Sequence, residues 1–378
     1  MHIILVLLTL FYCVIILRLR YGVTQLERGT NRIKHSVSIV VAARNESTQI
    51  GQCIESLLKL DYPENKLEII IVDDRSTDNT ADIVSSYSES HSNMKLIRID
   101  NPSSELAPKK YALSKGIEQA KHDIIFTTDA DCIAKPDWIN TMMKRYDDGV
   151  GLVAGYSPLD RSQKKSIFHK LVQLDALALA SVAAGSIGAD SPSTCNGRNL
   201  SYRKQVFNQI GGFSKFGKFV SGDDDLFLHH VVKMTDWKVR YVLDPGNTVS
   251  SVAPSSFVSF FHQRTRHASK GKHYSTGMTL ALIAVYVMNL LFMITPFFAF
   301  WYPVFLKYLI LSLILKSISE FSLIYRVTSE LKDKKLLNYY PLAALFHIPY
   351  VVLFGLWGQF GKFKWKGTTF HTELKSDH

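Results

Sequence analysis

The stretch VSIVVAARNESTQIGQCIESLLKLDYPENKLEIIIVDDRSTDNT, residues 37–80, decides the fold. Its apolar runs at residues 37–42 and 67–72 predict buried β-strands, and residues 47–60 and 79–88 have helical patterns. Because parallel neighbours in a sheet need crossover helices, this βαβα order predicts an α/β fold. We expect a mainly parallel, doubly wound sheet with helices on both faces.

Polar clusters directly follow the strand-like runs. Further strands are expected at residues 94–99, 124–128 and 150–156. The clusters at the strand ends are Ala43-Arg44-Asn45-Glu46, Asp73-Asp74-Arg75-Ser76 and Asp129-Ala130-Asp131. Open α/β sheets bind ligands beyond the carboxyl ends of their strands, so these clusters are expected to meet in one crevice.

Asp129 and Asp131 flank a small alanine, a spacing that lets both carboxylates meet one hard cation together with phosphate oxygens. The same triplet is common in solvated turns, and the spacing alone leaves that alternative open. Asp73 and Asp74 are candidates for hydrogen bonds to a base or a ribose. Residues 76–78 are of helix-capping types, and we expect them to cap the following helix.

A third group of acids, Asp223-Asp224-Asp225, follows a glycine-rich stretch and precedes a helical pattern that begins at Leu226. Adjacent carboxylates repel one another, and a helix N-terminus relieves only part of that repulsion. One of these acids, held near an acceptor hydroxyl, would serve as a general base.

Several long apolar runs predict membrane helices. Residues 3–17 lack a following cleavage site and predict an N-terminal anchor within residues 1–20; the basic Arg18 and Arg20 come after it, which orients the next domain towards the cytoplasm. The other runs cover residues 277–301, 304–325 and 339–357. Basic segments on both sides of the last run conflict with the positive-inside rule, so two or three of these runs are expected to span.

The composition and the charge distribution narrow the classes of partner that the chain is expected to bind. A net charge of +11 suits a phosphate-rich partner. Basic residues cluster beside the apolar runs, again at Arg264 and Arg266, which favours a membrane surface over nucleic acid, and no nucleic-acid partner is expected. The four cysteines are widely spaced without zinc-type spacing to histidine and are interpreted as reduced thiols.

In this order, the clusters resemble family 2 glycosyltransferases of the GT-A fold over roughly residues 34–275. The resemblance rests on VSIVVAARNES (37–47), IIIVDDRSTDNT (69–80), KKYALSKGI (109–117), IIFTTDADC (124–132), CNGRNLSYRKQVFNQIGGF (195–213) and SGDDDL (221–226). QRTRH (263–267) is similar to the Gln-x-x-Arg-Trp signature of membrane-embedded members, and Trp365-Lys366-Gly367 also recurs in them. The domains implied are an anchor at 1–20, a Rossmann-like GT-A domain at 34–275, a transmembrane region at 277–360 and a basic tail at 361–378.

The resemblance implies a hexosyltransferase that moves a sugar from a UDP- or GDP-sugar to a lipid or a membrane-proximal glycan with the help of Mg²⁺ or Mn²⁺. Residues implied for the nucleoside pocket are Ala43, Arg44, Glu46 and Asp74. Lys109 would lie near the nucleotide. Asp129 and Asp131 would hold the phosphates through the metal, with Asp131 the more direct ligand.

On the acceptor side, Asn196, Gly197 and Arg198 would shape the wall around the sugar and the acceptor. Asp223 matches the catalytic base, and Asp224 is the rival. A single base without a visible nucleophile implies inversion at the anomeric carbon. Gln263 and Arg266 belong to the signature, with Arg266 beside the leaving diphosphate. An alternative places them on an amphipathic helix that sets Phe257, Phe260 and Phe261 against lipid.

Two departures from the family pattern stand out. Gly222 replaces a glutamate before the base, and His267 replaces the signature tryptophan, which weakens a prediction of long polymer synthesis. Two other functions stay open: a nucleotidyltransferase of similar fold, although no Gly- and Lys-rich turn follows the first strand, and a catalytically inactive membrane scaffold.

Overall fold

The structure is a computed structural model and describes residues 1–160, 166–246, 248–269, 274–360, 363–365 and 368–370. Its strands are β1 (Val37–Ala43), β2 (Leu67–Asp74), β3 (Met94–Ile99), β4 (Ile124–Asp129), β5 (Cys132–Ala134), β6 (Val150–Gly155), β7 (Leu200–Arg203), β8 (Lys238–Val242), β9 (Val249–Ser251), β10 (Phe363–Trp365) and β11 (Thr368–Phe370).

The helices alternate with the strands and then run on in a bundle. They are α1 (His2–Thr24), α2 (Ile50–Leu58), α3 (Thr80–Ser90), α4 (Pro108–Gln119), α5 (Trp138–Met143), α6 (Ile167–Gly188), α7 (Lys204–Gln209), α8 (Asp225–Met234), α9 (Phe257–Ala268), α10 (Thr276–Trp301), α11 (Val304–Glu330) and α12 (Tyr340–Phe360). The five predicted strands are confirmed as β1, β2, β3, β4 and β6.

Seven strands form one twisted sheet in the order β3-β2-β1-β4-β7-β6-β8. The strands from β3 to β4 pair in parallel, whereas β7 runs antiparallel to both of its neighbours, and β6 pairs in parallel with β8. The mostly parallel α/β sheet is therefore confirmed. The antiparallel β7 was not predicted, and neither was the separate β5–β9 pair.

Both faces of the central strands are buried, as expected for a parallel sheet between helical layers. Val37, Ile39 and Val41 point into one hydrophobic core, and Val40 points into the other. Helix α4 lies so close to the sheet that a Cβ atom on Gly116 would be 2.3 Å from Val40 Cγ1. This close contact fixes α4, which carries Lys109 in its first turn, against the strands.

Helix α1 is an integral part of the fold. It packs on α6 and α11, and its Leu5 is fully buried. At its carboxyl end it meets α6 backbone to backbone: a Cβ atom on Gly185 would lie 2.5 Å from Leu19 O, and one on Gly188 would lie 2.0 Å from Gly22 O. The N-terminal segment expected to be an anchor is therefore also packed tightly against a helix inserted between β6 and β7.

Within the part of the chain that the structure describes, four helical segments are long and apolar enough to cross a membrane: His2–Thr24, Ile167–Gly188, Thr276–Trp301 and Lys335–Gln359. The second of these, α6, was not singled out in the sequence. The run expected at residues 304–325 does form a helix, α11, but it is not one of the four. It carries Lys316 and Glu320 in its middle, with Lys316 Nζ 2.7 Å from Glu320 Oε1.

The polar pair of α11 joins three helices. Tyr12 of α1 donates a hydrogen bond of 2.6 Å to Glu320, and Tyr340 of α12 donates one of 3.2 Å to the same carboxylate. A buried charge without partners is costly in an apolar bundle, so these contacts fix the helices relative to one another. The expected basic tail at residues 361–378 lies outside the described residues apart from β10 and β11, and Lys366 and Gly367 are among those left out.

Candidate active site

The carboxyl ends of β1, β2 and β4 meet at one edge of the sheet. The register pairs Ala43 with Asp73 and Ala42 with Asp129, so the three polar clusters start at the same level. Asp74 is buried at the end of β2. Its carboxylate lies 2.7 Å from Arg75 Nε and 3.8 Å from Arg44 Nη1, so both arginines stand beside the pocket edge.

Hydrogen bonds tie the loop after β1 to the loop after β2. Asn45, in the left-handed region at φ 52°, accepts a 2.8 Å bond from Thr77 N, and its own N–H donates to Ser76. The N–H of Glu46 donates to Thr80 Oγ1 at 2.8 Å. The two loops therefore form one rigid rim, with Ala43 buried beneath it.

The expected capping role of residues 76–78 is largely wrong. The N-cap of α3 is Asn79, which makes no side-chain cap bond. Only Asp78 reaches the helix start, by accepting from Thr80 N at 3.1 Å, and its other oxygen accepts from Ser47 N at 3.1 Å. Desolvation opposes ionisation, but these hydrogen bonds outweigh it and lower the pKa of Asp78 to about 2.

Asp129 and Asp131 stand at the turn between β4 and β5. Together with the thiol of Cys132 they offer ligand atoms that all lie within 4.8 Å of one another. Burial and the neighbouring Asp129 both raise the pKa of Asp131. Burial and the two carboxylates also raise the pKa of Cys132, which keeps it a neutral thiol. Two oxygen ligands at this spacing fit a hard divalent cation such as Mg²⁺ or Mn²⁺.

Lys109, at the start of α4, bridges two of the acid clusters. Its Nζ lies 2.7 Å from Asp129 Oδ1 and 2.7 Å from Asp223 Oδ2. Burial alone would lower the pKa of Lys109, but the two carboxylates outweigh that effect and raise it. Burial would raise the pKa of Asp129, whereas Lys109 and, more weakly, Arg198 and Arg266 lower it below its ordinary value. At neutral pH Lys109 is therefore a cation and Asp129 an anion.

The three consecutive acids have separate contacts. Asp223 faces Lys109. Asp224 is the N-cap of α8: its carboxylate accepts from Asp225 N at 2.8 Å and from Gly197 N at 3.3 Å. Asp225 is buried and accepts a 3.1 Å bond from the hydroxyl of Tyr274. The assignment of Asp223 over Asp224 as base stays a prediction, and the contacts of Asp224 suit a helix cap.

The backbone conformation and the packing at position 222 explain why glycine stands there in place of glutamate. Its φ is +91°, a region that disfavours residues with a side chain, and a Cβ atom there would lie 2.5 Å from Leu226 Cδ1. The backbone before Asp223 therefore has no space for the side chain found in the family pattern.

The segment expected to form the sugar and acceptor wall lies beside the acids. Asn196 Oδ1 accepts from the N–H and the Nε of Arg198, each at 3.1 Å. The guanidinium of Arg198 also donates to Ser251 Oγ on β9. Gly197 approaches Asp223 closely, since a Cβ atom on it would lie 3.3 Å from Asp223 Oδ2.

Helix α9 carries Gln263 and Arg266, both partly buried, and an exposed His267. Arg266 acts electrostatically on Asp129, so it lies on the side of the helix facing the site. Arg264, which directly follows Gln263, is buried and pairs with Asp175 of α6. The pair of Arg264 with Asp175 thereby holds the signature segment against α6.

The alternative that places three phenylalanines of α9 against lipid is wrong for two of them. Phe260 is buried against Tyr350 and Phe354 of α12, with ring centroids 6.3 and 6.2 Å away. Phe261 packs on Phe354 at 5.2 Å. Only Phe257 is largely exposed. The apolar side of α9 is used to bind α12.

Sequence reasoning passed over three side chains that contact this site. Arg75 pairs with Asp74, Lys110 contacts the loop that leads to Asp223, and Tyr274 binds Asp225. Arg75 and Lys110 were visible as charged neighbours of assigned residues. Tyr274 gave no local signal, because it is far from Asp225 in sequence. Taken together, the site combines two carboxylates that can bind a cation, a bridging lysine and a further acid, and this set of groups is chemically suited to a phosphate-bearing substrate and a proton transfer.

Comparisons with known proteins agree with a site of this kind. Residues 38–211 match the family model described as Glycosyl transferase family 2. The chain is 26% identical over 238 residues to the poly-beta-1,6-N-acetyl-D-glucosamine synthase of Staphylococcus epidermidis, covering 62% of this chain and 54% of that relative. It is 26% identical over 247 residues to the beta-monoglucosyldiacylglycerol synthase of Synechocystis sp., covering 62% and 47%. The chain spans about half the length of the curated relatives it matches.

Among solved structures, the mannosyltransferase PcManGT from Pyrobaculum calidifontis, in complex with GDP-Man and Mn²⁺, has a TM-score of 0.56. It is 18% identical, and the match covers 94% of this chain and 99% of that chain. At this identity the likeness shows the fold. Residues 38–211 therefore match glycosyltransferase family 2, and the α/β domain has the GT-A fold.

Proposed function

We propose that this chain is an inverting, metal-dependent glycosyltransferase that moves a hexose from a UDP- or GDP-sugar to a lipid or a membrane-proximal glycan. The observation that carries the proposal is the cluster of Asp129, Lys109 and Asp223 at the carboxyl edge of the sheet, where each contact measures 2.7 Å. It brings a phosphate-side acid and an acceptor-side acid within reach of one substrate.

The nucleoside would bind at the rim formed by the loops after β1 and β2. The nucleoside would be surrounded by Arg44, Glu46 and Asp74 and would lie above the buried Ala43. The buried Oδ1 of Asp73 has no hydrogen-bond partner among the described residues, so an N–H donor of a base would satisfy it. The Pyrobaculum mannosyltransferase was solved with GDP-Man, which supports a guanosine donor as one of the two candidates.

Asp129 and Asp131 would hold the divalent cation. Their carboxylate oxygens are the ligand type that Mg²⁺ and Mn²⁺ prefer, and the Mn²⁺ in the Pyrobaculum structure supports this choice. When bound, such an ion neutralises the charge that develops on the leaving diphosphate. Arg266, on α9, would lie beside the same phosphates and add a second positive charge.

The transfer itself needs one base. Asp223 would take the proton from the acceptor hydroxyl as its oxygen attacks the anomeric carbon, while the bond from that carbon to the diphosphate oxygen breaks. Lys109 Nζ lies 2.7 Å from Asp223 Oδ2 and would orient this carboxylate towards the substrate. A single displacement inverts the anomeric configuration.

We further propose a multi-pass membrane location with a cytoplasmic catalytic domain. The four long apolar segments, and the arginines Arg18 and Arg20 that follow the apolar run of residues 3–17, support it. Tyr274 stands just before α10 and binds Asp225, two residues from the proposed base, so the reacting hydroxyl would lie near the membrane surface. This favours an acceptor that is a lipid or is attached to one, and a relative named for a glucosyl lipid product agrees.

The test is nucleoside diphosphate release by purified protein in nanodiscs, with Mg²⁺ or Mn²⁺, a panel of UDP- and GDP-sugars and a membrane lipid extract. We expect metal-dependent release with one donor and a product whose anomeric configuration is inverted. Pyrophosphate release from a nucleoside triphosphate would instead establish a nucleotidyltransferase. If the protein binds no nucleotide under any condition, the catalytically inactive membrane scaffold becomes the favoured function.

A further inference from the structure

Lys110 is a fully buried lysine whose ammonium group binds main-chain carbonyl oxygens next to the site. It is 1% exposed, and its Nζ donates to the carbonyl oxygens of Phe219 and Ser221, the latter at 2.7 Å. The ammonium also lies 5.4 Å from the ring centroid of Phe216. Burial of an ammonium group is costly unless it is hydrogen-bonded, so these carbonyls account for its position.

Both carbonyls belong to the segment that leads directly to Asp223. The same segment is bound a second time by the start of α4, because Ala107 N donates to Gly217 O at 2.7 Å. At its end, Gly222 makes a left-handed turn at φ +91° and then Asp223 follows. A segment with such a turn has little regular structure of its own, and its geometry depends on the contacts made by α4.

Two adjacent lysines thus act on the same acid from different directions. Lys109 contacts the carboxylate of Asp223, and Lys110 contacts the main chain two residues before it. We propose that Lys110 is a positioning residue that holds the segment 216–222, and through it the carboxylate of Asp223, in line with the acceptor. This inference rests on the proposed function of Asp223 as base.

An uncharged side chain of the same length would not replace Lys110. In Lys110→Met the shape is nearly kept, but the carbonyls of Phe219 and Ser221 lose their charged donor, and the segment is free to shift. A shift of about 1 Å at a reacting group costs roughly 100-fold in rate. Nucleotide binding should change little, since the proposed nucleoside pocket is built from β1, β2 and β4.

Lys204, the first residue of α7, provides a matched control that binds the opposite end of α4. Its Nζ donates to the main-chain oxygens of Glu118 and Ala120, at 3.3 and 2.9 Å, at the other end of α4. Lys204→Met removes the same type of contact without touching the segment before Asp223. The experiment compares wild type, Lys110→Met and Lys204→Met for kcat, for the dissociation constant of UDP and GDP with Mn²⁺, and for hydrogen exchange over residues 214–226.

We expect Lys110→Met to lose about tenfold or more in kcat, to keep its nucleotide dissociation constant within about twofold, and to exchange faster over residues 214–226. Lys204→Met should match wild type in all three. Unchanged kcat in Lys110→Met, or equal loss in both variants, would overturn the inference while leaving the proposed function intact. A wild-type protein that binds nucleotide but transfers no sugar would overturn both.

Discussion

Lys109 Nζ lies 2.7 Å from the carboxylate of Asp223, and the same atom lies 2.7 Å from Asp129 at the end of β4. One side chain thereby joins the acid proposed to serve the phosphates to the acid proposed to serve the acceptor. This bridge, the different contacts of the neighbouring acids and the close contact between α1 and α6 lead to four predictions.

Asp223→Asn should lower turnover by about 100-fold or more, because the amide cannot accept the acceptor proton. Asp224→Asn should keep most of the turnover, since asparagine caps a helix about as well as aspartate. Release of nucleoside diphosphate under saturating donor measures both. If the Asp224 variant is the inactive one, the base is Asp224 and the capping contact with Gly197 is secondary.

Lys109→Met should lower the stability of the metal-free protein in a pH-dependent manner. The pKa of Asp129 is lowered in the fold, so the stabilisation it gives is present above its unfolded pKa and is lost as pH falls through the folded value. The pKa of Lys109 is raised, so its share is present below its unfolded pKa and is lost only at higher pH. The difference in Tm between variant and wild type should be constant from about pH 5.5 to about pH 9 and narrow below about pH 4.

The pH dependence of this Tm difference is measured by thermal unfolding of both proteins in EDTA, in a series of buffers of different pH. Lys115→Met, on an exposed pair with Glu118 of the same helix, is the control and should show a small difference at every pH. A Lys109→Met difference that stays constant down to about pH 3 would argue against the paired carboxylates as its source.

Asp129→Asn and Asp131→Asn should each abolish Mn²⁺-dependent nucleotide binding, because each removes one of two charged oxygen ligands. Cys132→Ser should keep the Mn²⁺ affinity within about threefold, because the thiol is neutral and hard cations prefer oxygen. Titration of Mn²⁺ by electron paramagnetic resonance measures free ion directly. Loss of binding in Cys132→Ser would show that the sulfur is a ligand.

Gly185→Ala should destabilise the protein by about 1–3 kcal/mol, since the new methyl group would press on Leu19 O at the contact between α1 and α6. Gly277→Ala is the control: at that helical position nothing lies within 4 Å, so the substitution should be neutral or stabilising by up to about 1 kcal/mol. Unfolding in detergent followed by circular dichroism compares the two. Equal behaviour would mean that α1 and α6 separate easily and that α1 acts only as an anchor.

The amino-acid sequence by itself determined five of the seven strands of the sheet, the polar clusters at strand ends and the C-terminal apolar helices. These features are written in local patterns: apolar runs of strand length before Arg44 and Asp73, and helix-length apolar runs after residue 276. Because a strand and the turn after it are set by neighbouring residues, reading along the chain was sufficient for them.

The tertiary structure alone decided which of these residues act together. The bridge from Lys109 to Asp129 and Asp223, the capping contact of Asp224 with Gly197, and the pairing of Arg264 with Asp175 all join segments far apart in the chain. The side of α9 that meets α12, and the closeness of α1 to α6, likewise depend on packing between distant helices. No local pattern encodes such contacts, because each depends on where the sheet and the bundle place two segments in space.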